Sequence, residues 1–244
     1  MSTETKIANT LGIIPARGGS KGLPRKNVRL LGDLPLIAHT IRAACESRME
    51  RVMVSTDDEE IAQVAAEWGA EVPFRRPPEY SHDSATSLSV LLHALHFMEK
   101  EKQVFPAHVI YLQPTSPFRN AAHINEALDL HLRSETESLI AVTEVQEFHP
   151  YFMFEIQGNS RLKPLVELDH RPLRRQDLPV YYRINGALYI TRRSYYDHLP
   201  ADAAIFNWNS VSAYVMDAPS SIDINDYLDF QRAELYLQKR NETP

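Results

Sequence analysis

The chain has 244 residues, of which 43% are hydrophobic and 24% charged, with a formal net charge of −6. That balance suits one large globular domain; no apolar run nears the roughly 20 residues that cross a bilayer, and the negative charge argues against general nucleic-acid binding. The single cysteine, Cys45, excludes an intrachain disulfide framework and a multi-cysteine metal site.

Residues 7–15 (IANTLGIIP) read as a buried strand. Residues 35–48 have helical spacing, with Leu36, Ile37, Ile41 and Ala44 on one side. RVMVSTDD (51–58) is a short β-branched strand whose end can cap a helix over 58–69, with Gly69 as its stop. Residues 70–75 are predicted as a further short strand, 84–102 as a helix, 107–113 as a strand and 120–133 as a helix. Strand and helix thus alternate over the first 130 residues, which predicts an α/β fold: a mostly parallel sheet with helices on both faces. After about residue 138 the pattern changes. SLIAVTEV is a strand, but 145–182 is rich in Pro, Arg and aromatic residues and has no long helical pattern. It reads as an excursion of short strands or loops projecting from the sheet. NGALYIT (185–191) and SVSAYVMD (210–217) return as strands, and a helix over about 224–239 closes a single domain spanning 1–244. The opening residues MSTETKIANT lack the apolar stretch of a secretory leader, so a cytoplasmic location is expected.

The first strand runs into an unusual loop, in 11-LGIIPARGGSKGLPRKN-27. Arg17, Lys21, Arg25, Lys26 and Arg29 follow one another with no Asp or Glu between Glu4 and Asp33. Five of the eight glycines fall in the first 32 residues. Glycine lets backbone N–H groups approach a ligand closely, and a loop at the carboxyl end of a parallel strand is where open α/β sheets bind ligands. Backbone amides with Arg and Lys there make a polyphosphate site. The loop matches neither G-x-x-x-x-G-K-[ST] nor G-x-G-x-x-G, so it is neither a P-loop nor a dinucleotide fingerprint.

PARGGSKGLPRKN, VSTDD (54–58), RRPPEYSHDSATS (75–87), LQPTSPFR (112–119), RINGALYI (183–190) and SIDINDYLDF (221–230) together resemble, in order, the blocks of the acylneuraminate cytidylyltransferases, also called CMP-sialic acid synthetases. The resemblance implies a Rossmann-like domain of the nucleotide-diphospho-sugar transferase type. It implies an enzyme that uses CTP and Mg²⁺ to join CMP to a nine-carbon keto-sugar acid, with release of pyrophosphate. It also implies a homodimer built on the projecting 145–182 element, while the charge and hydropathy above lead to the expectation of no nucleic-acid and no membrane partner.

The same resemblance gives the residues roles. Arg17 and Lys26 match triphosphate-binding cations, with Ser20, Lys21 and Asn27 beside them. Arg76 and Ser87 fall on the cytidine side. Gln113, Thr115, Ser116 and Arg119 come from the stiff, proline-flanked loop nearest the acceptor sugar. Arg175, Arg183, Asn185 and Tyr189 are expected at the acceptor, where arginine suits a carboxylate. Asp223 is the expected metal ligand. The family's Asp-x-Asp reads Asp223-Ile224-Asn225 here, so the second ligand is either the neutral Asn225 or the adjacent Asp226.

Overall fold

The computed structural model describes residues 5–242 except 169, 171 and 173. The chain runs through β1 (Ile7–Pro15), a tight β2–β3 hairpin (Leu30–Leu31 and Leu34–Pro35), α1 (Leu36–Glu46), β4 (Met49–Ser55) and α2 (Glu59–Glu67). It continues with α3 (Ser87–Lys102), β5 (His108–Tyr111), α4 (Ala121–Arg133), β6 (Ser138–Glu144) and a β7–β8 hairpin (Phe154–Gln157 and Arg161–Pro164). β9 (Tyr182–Arg192), β10 (Val211–Val215) and α5 (Tyr227–Glu242) complete it.

Period-two alternation sorts the strand residues onto two faces. Leu11 and Ile13 of β1 join Met53, Val109, Tyr111, Ile140 and Val142 in the core under α3. Ile14 joins Val54, Ile110, Leu139 and Ala141 in the core under α1, α2 and α4. Six strands form the sheet in the order β10-β6-β9-β5-β1-β4. All pairings are parallel except those of β9, which is antiparallel to both β5 and β6. A third, smaller core seats α5: Phe230 and Ala233 pack with Leu23, Leu31, Leu36, Phe118 and Ile224. That core lies beneath the cationic loop and the 223–226 segment, and it fixes one against the other.

Local signals hold in most places. Asp58 caps α2 by accepting a 3.0 Å hydrogen bond from the Ile61 N–H, and Gly69 ends it at φ +91°. The expected strand at 70–75 is instead an extended segment touching β4 at two isolated bridges, Met53↔Glu71 and Thr56↔Arg75. Pro73, between them, has no N–H to donate, so the ladder cannot continue. Residues 145–181 leave the sheet after β6 and return at β9. Their base is closed by the Val145 N–H donating to the Tyr181 carbonyl at 2.8 Å. No helix among the described residues is long and apolar enough to cross a membrane.

Candidate active site

The loops after β1, β5 and β10 meet at the carboxyl edge of the sheet. Ala16 N–H donates to Ser55 O at 2.9 Å, tying the cationic loop, as it leaves β1, to the end of β4. The buried Asn27 folds it back by donating from Nδ2 to the Arg17 carbonyl at 3.0 Å. Lys26 Nζ then donates to Ile224 O at 2.7 Å, and Ile224 N–H donates to Thr115 O at 2.9 Å. Gly22 permits this closure: a Cβ there would stand 2.4 Å from the Asn225 carbonyl.

These loops enclose a cavity of about 340 Å³. Its lining brings together Arg17, Ser20, Lys26, Asn27, Arg76, Ser87, Gln113, Thr115 and Asn225, all singled out in the sequence. Tyr80, His82, Asp83 and Tyr111 line it too, and sequence reasoning did not single them out. Three of them fall in RRPPEYSHDSATS, whose arginine and serine drew the attention. Tyr111 sits in a strand and reads as core.

Burial shapes the charges. The Lys26 ammonium is pushed below the ordinary lysine range by burial, with the Asp223 carboxylate opposing. Arg76 is only 4% exposed. Burial lowers its guanidinium and Asp57, 3.7 Å away, opposes. Burial pushes the Tyr111 phenol up to about 12, against a hydrogen bond with Ser87. Tyr111 is therefore a neutral donor at physiological pH.

Asp223 is joined to the lining through Asn225. Asn225 Nδ2 donates to Asp223 Oδ2 at 2.9 Å, while Asp223 Oδ1 is buried with no hydrogen-bond partner. An unpaired buried carboxylate oxygen is costly and suits a cation. Asp226 is otherwise engaged: its Oδ1 accepts from the Asp229 N–H at 3.0 Å, at the start of α5. Among the described residues no three His, Cys, Asp or Glu side chains form a self-sufficient metal cluster.

The remaining sequence candidates lie elsewhere. Lys21 is at the rim, bonded to Asp83 rather than lining the cavity. Tyr189 is nearly buried and stacks on Phe206 with centroids 5.8 Å apart. Burial raises its phenol and the Asp223 charge adds to this. Asn185 is buried and bonded within the protein: Nδ2 donates to Ser221 Oγ and Met216 Sδ, and Oδ1 accepts from the Ala187 N–H. Arg183 lies on β9 beside a different recess, with Thr143 and Arg232. Arg175 falls in a turn at Arg175–Asp177, but its side chain lies outside the described residues. Ser116 and Arg119 are buried. Arg119 donates to Thr40 Oγ1 at 2.7 Å and to the Ala187 and Gln113 carbonyls. Burial lowers it to about 9, so it remains a cation that pins the Gln113 loop to β9.

A cationic, glycine-rich crevice at the carboxyl edge of a mostly parallel sheet marks an α/β nucleotide-binding protein. A family model described as cytidylyltransferase matches residues 11–241. The chain belongs to the cytidylyltransferase family. It is 37% identical over 239 residues to the N-acylneuraminate cytidylyltransferase of Escherichia coli O18:K1:H7, a match covering 97% of this chain and 53% of the relative. The chain thus spans about half the length of that relative. It is 36% identical to the CMP-N,N'-diacetyllegionaminic acid synthase of Legionella pneumophila, covering 95% of this chain and 97% of that one. Among solved structures, CMP:2-keto-3-deoxy-manno-octonic acid synthetase complexed with CTP aligns with a TM-score of 0.69 at 16% identity. That alignment covers 96% of this chain and 100% of the solved one, and it shows the shared fold.

Proposed function

We propose that this protein transfers CMP from CTP to the anomeric hydroxyl of a nine-carbon keto-sugar acid of the N-acylneuraminate type, releasing pyrophosphate. The observation that carries the reading is the tie between the cationic loop and the Asp223 segment through Lys26 and Ile224. It puts phosphate-binding cations beside a buried, half-satisfied carboxylate.

Phosphoryl transfer is chiefly positioning and charge stabilisation. Arg17 forks onto phosphate oxygens, Lys26 acts as a point charge next to them, and Ser20 and Asn27 shape the loop around them. Arg76 and Ser87 serve the nucleoside side, with Tyr111 beneath. Gln113 and Thr115 face the acceptor. The unpaired Oδ1 of Asp223 fits Mg²⁺ and would be the side-chain oxygen that holds it. Bound Mg²⁺ supplies Lewis acidity that eases loss of the acceptor's hydroxyl proton and neutralises phosphate charge. Asn225 orients the Asp223 carboxylate through its amide hydrogen bond. No side chain becomes covalently linked to the nucleotide.

Legionaminic, pseudaminic and Kdo-type acids are the alternative acceptors, supported by relatives and a solved structure bearing those names. The excursion at 145–181 supports a homodimer, because it exposes Phe148, Phe154, Ile156, Leu162 and Leu165. Arg175 would then reach the acceptor carboxylate. A cytoplasmic location accords with the chemistry, since CTP is an intracellular substrate. Pyrophosphate release with CTP, Mg²⁺ and a panel of keto-sugar acids tests the reading. Turnover with one acceptor class supports it and names the acceptor. Tight CTP binding without turnover on any of them would instead mark a non-catalytic nucleotide-binding protein.

A further inference from the structure

Arg17 and Lys21 share one carboxylate. Arg17 Nη1 donates to Asp83 Oδ1 at 2.8 Å, and Lys21 Nζ lies 2.6 Å from Asp83 Oδ2. Two oxygens on one anionic centre, each on its own cation, reproduce what a phosphate group offers. Asp83 and Arg17 both line the cavity, so the pair stands inside the site. The neighbouring Arg25 is different: its partners, Asp58 and Glu60, lie outside the cavity lining.

The position of Asp83 is built. It sits in a turn closed by the Ala85 N–H donating to the His82 carbonyl at 3.1 Å. On one side Ser81 Oγ is anchored to Pro77 O at 3.0 Å, and on the other Thr86 caps α3. The turn carries the carboxylate 66 residues along the chain to Arg17. Lys21, and then Arg17, hold the Asp83 carboxyl below the usual carboxylate range, so it is anionic at neutral pH.

We infer that Asp83 is an internal competitor for the pyrophosphate part of the nucleotide site. It occupies Arg17 and Lys21 and offsets one of their two positive charges in the free protein, gives way to the β- and γ-phosphates of CTP, and re-engages as pyrophosphate departs. This rests on the cytidylyltransferase reading above. A phosphate on Arg17 would stand beside the Asp83 carboxylate, and neighbouring like charges disfavour each other. A ligand that does not reach Arg17 and Lys21, such as CMP, has nothing to displace. Asp83 thus weakens the binding of triphosphate and of pyrophosphate together, and it limits product inhibition.

Calorimetric titration of pyrophosphate, CTP and CMP into wild type and Asp83→Asn, at fixed excess Mg²⁺, tests this. The expected result is binding of pyrophosphate and CTP about two- to fivefold tighter in the variant, with CMP unchanged. Asp83→Ala should behave alike, which controls for any new contact made by the amide. Unchanged or weaker binding of CTP and pyrophosphate would overturn the inference and make Asp83 a residue that positions Arg17. Equal tightening of all three ligands would overturn it too, since that is the general effect of removing one negative charge. A wild type that binds none of them would remove the cytidylyltransferase reading as well; a wild type that binds them while the variant is no tighter would remove this inference alone.

Discussion

Lys26 and Ile224 are 198 residues apart in sequence and joined by a 2.7 Å hydrogen bond from the ammonium to the carbonyl. The bond leaves two of the ammonium's three hydrogens free for a ligand. It also couples the loop that would hold the phosphates to the segment that would hold the metal.

Loss of either loop cation should remove transition-state charge stabilisation with little effect on folding. Arg17→Ala and Lys26→Ala should each lower kcat/KM by about a hundred- to a thousandfold. Near wild-type turnover in both, with matching thermal melts, would contradict the assignment.

Lys26 should also give CTP binding a pH slope. Burial lowers its pKa in the free protein, and triphosphate oxygens raise it in the complex. Between those two values binding takes up a proton, so affinity falls as pH rises through the alkaline range. Titrations in buffers of differing ionisation enthalpy should detect that proton uptake in wild type. Lys26→Ala should abolish it.

The Asp223–Asn225 pair makes a graded set of expectations for metal. Asp223→Asn should nearly abolish Mg²⁺-dependent turnover. Asn225→Asp should keep turnover and lower the Mg²⁺ needed for half-maximal rate. Asp226→Asn should change little, because Asp226 caps α5 and asparagine caps about as well as aspartate. Mg²⁺ titration of all three decides between Asn225 and Asp226 as the partner of Asp223; a severe Asp226→Asn defect would reverse the choice.

Two glycines in one loop should respond differently. Gly22→Ala drives a Cβ against the Asn225 backbone and should cost about 1–3 kcal/mol, with a lower Tm and weaker CTP binding. Gly19 has nothing within 4 Å of a built Cβ, so Gly19→Ala should leave Tm unchanged. Thermal melts of the two variants make the comparison.

Self-association should depend on the excursion. Ile156 is 76% exposed on β7, and Ile156→Asp should halve the mass seen by light scattering. A wild type that is already monomeric at micromolar concentration would dismiss the dimer.

Most of the fold was legible because its signals are local. The apolar run of β1 and the Asp58 cap each act within a few residues. What failed to read depends on distant neighbours. The 70–75 segment has strand-like composition, yet Pro73 breaks its ladder against β4. That β9 runs antiparallel follows from which strands it joins, and no residue within it announces this. In the site, the cationic loop was plain because its five cations fall close together with no acid among them. Arg119 and Asn185 have the chemistry of ligand groups, and in this structure their hydrogen bonds run to Thr40, Ala187 and Ser221. Polar residues that brace a loop and polar residues that meet a ligand have the same composition. Asp83 went unnoticed because its partners, Arg17 and Lys21, lie on another loop.

Because β9 runs against its neighbours, the chain leaves β6 and re-enters β9 at one edge of the sheet, through a neck closed at Val145 and Tyr181. An insert mounted this way behaves as a cassette. Doubling its length costs only about 0.6 kcal/mol in loop closure and does not disturb the pairing of β1 with β4 and β5. Changes within residues 146–180, Arg175 among them, should therefore alter what docks at that edge while leaving intact the crevice proposed to hold the nucleotide.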